Sequence, residues 1–149
     1  MKTPKEFELL RTEIRKIAGI GGVSLDDRTR HAKSYLVSAC TLYVYGSTDY
    51  YHYPAFYLIH HALELIIKDF FNLSIKGHVL ISILANVSDQ EKISQFSERD
   101  YFILRYSDQI NSDDGQLRYE AGVHKQFDWD IFYELVLLAK RLIEKKVYG

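Results

Sequence analysis

The sequence predicts an all-α protein, an up-and-down four-helix bundle with an accessory N-terminal helix and a short extra helix. Three observations carry this. Apolar residues recur at spacings of three and four along the long segments, helix start and stop signals separate those segments, and no alternating run bounded by hairpin turns is long enough to demand a sheet. A chain of 149 residues with 47% hydrophobic content is expected to form a single domain with a real core, with residues 1–22 as the accessory helix and 24–147 as the bundle.

Thr3-Pro4-Lys5-Glu6 opens the first helix, with a capping hydroxyl, a proline at the first helical position and a carboxylate placed for a capping box. Phe7, Leu10, Ile14 and Ile17 form a narrow stripe, and Gly19, Gly21 and Gly22 end it. This helix is expected to pack on the bundle or on a second subunit. The second helix starts at Ser24-Leu25-Asp26-Asp27, buries Ala32, Leu36, Ala39, Cys40 and Tyr43, and breaks at Tyr45-Gly46-Ser47. The third runs from near Asp49 to about Asn72, with Phe56, Ile59, Leu63, Ile66, Ile67 and Phe70 on one broad face. After a loop to Gly77, His78 to Asn86 is a short apolar helix. Ser88-Asp89-Gln90-Glu91 reads as a strong capping box and Ser97-Glu98-Arg99-Asp100 as a weaker restart that leads into Phe102, Ile103, Tyr106 and Ile110. Asn111 to Gly115 is turn chemistry, and residues 115–127 lack clear periodicity. Asp128 caps the last helix, whose buried side is Phe132, Leu135, Leu138, Ala139, Leu142 and Ile143 and whose basic end is Lys140, Arg141, Lys145 and Lys146.

Composition excludes several classes. Nineteen basic residues against 20 acidic ones leave a net charge of -1, so no global field draws nucleic acid to the surface. Cys40 is the only cysteine, which fits a reducing cytoplasm and no disulfide framework. The charged opening lacks the apolar region of a secretory signal, and no 18-residue window is free of charge and histidine, so no membrane span is expected. Seven of the twelve tyrosines lie between Tyr35 and Tyr57, a cluster suited to a bundle end or a dimer surface. With Tyr43, Tyr45, Tyr50, Tyr51 and Tyr53 read as exposed beside the narrow first stripe, a homodimer is expected.

Three ordered elements resemble the HEPN domain family. Tyr51 to Lys68 looks like its second core helix, with Ala62-x-Glu64-x-x-x-Lys68 after an aromatic stretch; Lys76-Gly77-His78-Val79-Leu80 looks like its Gly/Lys-His-x-Leu element; Leu117-Arg118-Tyr119 looks like the Arg-Tyr pair before its last helix. The resemblance spans about residues 28 to 146, and Glu120 stands where many members have proline. It implies a helical bundle, often dimeric, found alone, fused to nucleotidyltransferases or beside them as a partner. Some members are metal-independent ribonucleases whose arginine and histidine, with four to six residues between them, flank an RNA phosphate at a dimer cleft.

Arg118 and His124, with five residues between them, meet that spacing. A histidine can take a proton from a ribose 2′-hydroxyl near neutrality while an arginine fork neutralises the phosphorane. Yet eight arginines, six histidines and three allowed spacings in 149 residues produce about one such pair by chance. Tyr119 stands where active members place a polar residue, and the Arg-Tyr pattern accounts for Arg118 as a structural residue paired with an acidic side chain. His60, Glu64 and Lys68 fall at i, i+4 and i+8, on one stripe beside the apolar face of the long helix. A metal is a poorer use for them than an ion-pair network, because no Glu-x-x-His occurs in the chain. His78 is expected to bond a neighbouring backbone group, with a nucleotide contact as the alternative. Phosphate-loop, dinucleotide, zinc-protease and nucleophile-elbow motifs are missing, and no cofactor is implied. The expectation is a HEPN-like non-catalytic binding or regulatory module that takes a nucleotide, RNA or a nucleotidyltransferase partner, with a toxin-like endoribonuclease using Arg118 and His124 as the alternative. His60, Glu64, Lys68, His78 and Tyr119 are the candidate binding residues.

Overall fold

A computed structural model describes residues 4–21, 25–45, 52–111 and 128–149. Among them are seven helices and no strand: α1 (Pro4–Ala18), α2 (Asp27–Tyr45), α3 (His52–Phe70), α4 (Leu80–Ala85), α5 (Gln90–Ile93), α6 (Glu98–Ile110) and α7 (Trp129–Tyr148). Side-chain contacts fix the directions. Thr29 bonds Asp69 and Tyr35 packs on His61, so α2 and α3 are antiparallel. His60 meets Ser107 while Phe71 stacks near Phe96, so α6 opposes α3; Tyr106 meets Asp128 and Asp100 meets Arg141, so α7 opposes α6. The four long helices therefore alternate up and down, as the periodicity predicts.

The core runs along this bundle. Leu36, Ile59, Leu63, Ile66, Leu135 and Ile143 are fully buried. At one end Tyr43 of α2, Phe56 of α3, Tyr106 of α6 and Phe132 of α7 form an aromatic layer, with Tyr43 stacked on Phe132 at 4.4 Å and Phe56 edge-on to Phe132 at 5.1 Å. Tyr43 is thus buried rather than exposed, because its ring supplies the apolar body of that layer. Tyr45 is exposed, with the Arg11 guanidinium over its ring, and Tyr50 and Tyr51 lie outside the described residues.

The first helix packs on its own bundle. Leu10, Ile17 and Ile20 are buried, Glu13 sits 2.6 Å from Lys140 of α7, and Lys33 of α2 caps the Ile20 carbonyl at 2.9 Å. Gly21 turns the chain with a φ of 75°, and a Cβ there would lie 2.4 Å from Leu25 Cδ2. The stripe that suggested a partner surface is thereby covered from within.

The strengths of the two start signals are reversed. Ser88-to-Glu91 forms no capping box; Asp89 caps, accepting from the Lys92 amide, and α5 has only four residues. Ser97 and Asp100 form the complete box, and α6 runs 13 residues from it. Packing makes the difference. Ile103, Leu104 and Ile110 reach the core, whereas α5 has no fully buried residue and packs only Ile93 partly against it, and a cap cannot extend a helix with so little face to bury. Asp128 caps α7 as expected, accepting from the Asp130 and Ile131 amides.

Candidate functional site

The third helix ends at a left-handed residue, Asn72 (φ 53°), with the Leu73 amide bonded to the Lys68 carbonyl at 2.8 Å and the Asn72 amide to the Asp69 carbonyl at 3.1 Å. This 6→1 and 5→2 pair reverses the chain, so that residues 73–79 return along α3 as an extended strap. Leu73 and Ile75, partly buried, pack its first half against the core, and the rest, from Lys76 to Val79, is exposed. Polar side chains of the bundle hold that second half, at Gly77 and His78.

His60, Glu64 and Lys68 supply most of that hold. All three are buried, on the stripe that their spacing predicts. Lys68 Nζ donates to the Gly77 carbonyl at 2.9 Å and to Glu64 Oε2 at 3.3 Å; Glu64 Oε1 lies 2.8 Å from His78 Nδ1. His60 Nε2 is 2.7 Å from the His78 carbonyl, and its Nδ1 is 2.8 Å from the Ser107 hydroxyl. A carbonyl can only accept, so His60 carries its proton on Nε2, and Nδ1 accepts from Ser107. Burial holds the His60 pKa below its ordinary value, against the opposing pull of the His78 carbonyl, Asp108 and Glu64. Both ring nitrogens of a neutral imidazole are therefore engaged.

Asp108 completes the frame from α6. Its two oxygens accept from the Leu80 and Ile81 amides, at 2.7 and 3.1 Å, and so cap α4, whose own N-cap Val79 has no side-chain bond. Burial pushes its carboxyl up, while the Ile81 and Leu80 amides pull it down. The Asp108 carboxylate lies 4.0 Å from His60 Nε2, too far for a hydrogen bond, and with His60 neutral the contact is not an ion pair.

One sequence expectation changes here. The His78 ring bonds a carboxylate, not a backbone group; it is the His78 carbonyl that meets a side chain, that of His60. The reason is that the strap leaves the helical register, which turns the ring back over Glu64. Its helix accordingly begins at Leu80, two residues later than the apolar run suggests. The Glu64–Lys68 ion pair stands as expected.

Above the network lies an open cleft of about 630 Å³ between α3, the strap with α4, and α6. His60 forms its floor; His78, Val79 and Ile81 line one wall, and Arg105 and Asp108 line the other. Ser107, Asp108 and Arg105 are the contributors that sequence reasoning missed. One signal was available for Asp108: a carboxylate in the last turn of a helix opposes the helix dipole, which suggests that it serves a group elsewhere. Among the described residues, no group of three histidine, cysteine, aspartate or glutamate side chains is placed to hold a metal. Arg118, Tyr119 and His124 lie outside the described residues. Cys40 is buried in the core, its thiol pushed up to about 12 by burial and by Glu13. No described helix is long and apolar enough to cross a membrane. Comparison with family models, with curated proteins and with solved structures returned no match.

Proposed function

We propose that this chain is a HEPN-like, non-catalytic binding and regulatory module, working as a homodimer in the cytoplasm and taking a nucleotide or a nucleotidyltransferase as its partner. The observation that carries the reading is the chemistry of the network under the cleft. His60 has both nitrogens engaged, Glu64 lies between Lys68 and His78, and Asp108 caps two amides. Groups so arranged hold a shape rather than exchange protons, while the cleft above them offers a concave surface of ligand-binding size. The ordered HEPN-like motifs supply the partner class.

The endoribonuclease reading rests on the five-residue separation of Arg118 and His124. Melting the purified protein with and without a millimolar nucleoside triphosphate tests the binding reading: a ligand at a hundred times its Kd adds about 2.7 kcal/mol of stability, a shift of several degrees. Light scattering at tens of micromolar is expected to return a dimer. A melting temperature indifferent to nucleotide, together with a monomer that captures no nucleotidyltransferase when the two are coexpressed, would overturn the proposal.

A further inference from the structure

The outer face of the α2–α3 hairpin differs from the surface elsewhere. Ser34 to Tyr45 of α2 and His52 to Leu63 of α3 contain no lysine, arginine, aspartate or glutamate. In a chain that is 26% charged, two such runs of 12 residues would carry about six charges on average. The runs lie side by side, because the helices are antiparallel and Tyr35 of α2 meets His61 of α3. Burial accounts for their inward sides, with Leu36, Ala39, Phe56 and Ile59 in the core. It does not account for the outward ones: Tyr57 is 52% exposed, and Ser34, Ser38 and Thr41 are exposed as well. The outward sides of α1, α6 and α7, by contrast, carry charges such as Arg15, Arg99 and Lys145.

The centre of this face is a ledge of rings. Tyr35 meets His61 edge-on at 4.5 Å, and Tyr57 lies parallel to His61 at 6.4 Å. Leu42, partly buried, extends the ledge along α2 towards the exposed Tyr45. Among the described residues charge returns at its borders, where Arg11 lies over the Tyr45 ring and Asp27 pairs with Arg30. An uncharged aromatic centre with a charged rim is the composition of a protein interface. The lack of charge also selects the occupant. A foreign partner is steered and discriminated by complementary charge, and this face offers none. A second copy needs none, because in a two-fold contact the patch meets itself and a charge near the axis would face its like. We infer that the outer α2–α3 face, centred on Tyr35, Tyr57 and His61, is where two copies of this chain associate. This deepens the homodimer reading above and rests on it. His60, one position along α3, turns instead to Ser107 of α6 and the cleft, so the contact and the cleft occupy different sides of the helix.

Sedimentation of the full chain at tens of micromolar, with circular dichroism of each variant, tests the inference. The wild type should sediment as a dimer whose mass is the same at low salt and at about 1 M sodium chloride, since an uncharged contact leaves ions nothing to screen. Ser38→Glu and Tyr57→Lys, both at exposed positions, should each weaken association about a hundredfold while the helical spectrum is retained. Ser38→Glu disturbs no ring contact and decides the matter should Tyr57→Lys alter the helix. Arg15→Glu, a larger change of charge on the outward side of α1, should leave the dimer intact. A dimer that survives Ser38→Glu and Tyr57→Lys, or one that salt dissociates, would overturn the inference and leave the homodimer reading standing on another surface. A wild type that sediments as a monomer would overturn both.

Discussion

Replacing His60 by alanine tests the network at its centre. Its position beside the apolar stripe makes it look replaceable by sequence, at far lower cost than Leu63 or Ile66. The structure points the other way. The imidazole is buried, and its loss removes a 2.8 Å bond to Ser107 and a 2.7 Å bond to the His78 carbonyl. Leaving the buried Ser107 hydroxyl unsatisfied costs about 1–3 kcal/mol and the part-buried His78 carbonyl, which water can reach, about 1, so a total of about 2–4 kcal/mol follows. The pH dependence adds a second reading of the same residue. A histidine whose folded pKa is depressed binds fewer protons folded than unfolded, so it favours the folded state above the unfolded value of 6.5, and this contribution is lost as pH falls below it. Urea unfolding of wild type and His60→Ala, at steps from pH 8 to pH 5, should show a gap that is widest above 6.5 and narrows in acid. A loss under about 1 kcal/mol at pH 8, or a gap that widens on acidification, would refute the reasoning.

Leu63→Ala and Ile66→Ala, each at a fully buried position, should cost about 2–5 kcal/mol by urea unfolding through lost transfer energy and an unfilled cavity. Ser97→Ala should cost about 1 kcal/mol and Ser88→Ala almost nothing in the same assay, because only Ser97 takes part in a capping box. Cys40, with its thiol pushed up to about 12 and no exposed surface, should resist iodoacetamide at pH 8 until denaturant is added, which mass spectrometry would register.

Helix positions were legible in the sequence because period and punctuation are local. The stripes of α2, α3 and α7 and the cap at Asp128 stand where spacing and cap chemistry put them, whereas on α6 Ile103 and Ile110 are buried as expected but Phe102 is exposed and Leu104 takes its place in the core. Caps ranked by motif alone were misjudged at Ser88, since helix length depends on what the helix can bury. The same division runs through the site. His60, Glu64 and Lys68 were found together because i, i+4 and i+8 share a face. Their partners were hidden, since Ser107 lies 47 residues from His60 and the Gly77 and His78 carbonyls belong to every residue type alike. Only the carboxylate of Asp108, placed against the dipole of its own helix, hinted at a bond beyond it.

The measurement that meets the central claim most directly is incubation of the purified protein with single-stranded RNA in the presence of a chelator, beside Arg118→Ala and His124→Ala. A non-catalytic module leaves the RNA intact in all three samples, Arg118→Ala loses stability by an ion-pair-breaking amount, and His124→Ala melts like the wild type. Cleavage by the wild type that survives the chelator and disappears in both variants, with their melting temperatures unchanged, would contradict the account.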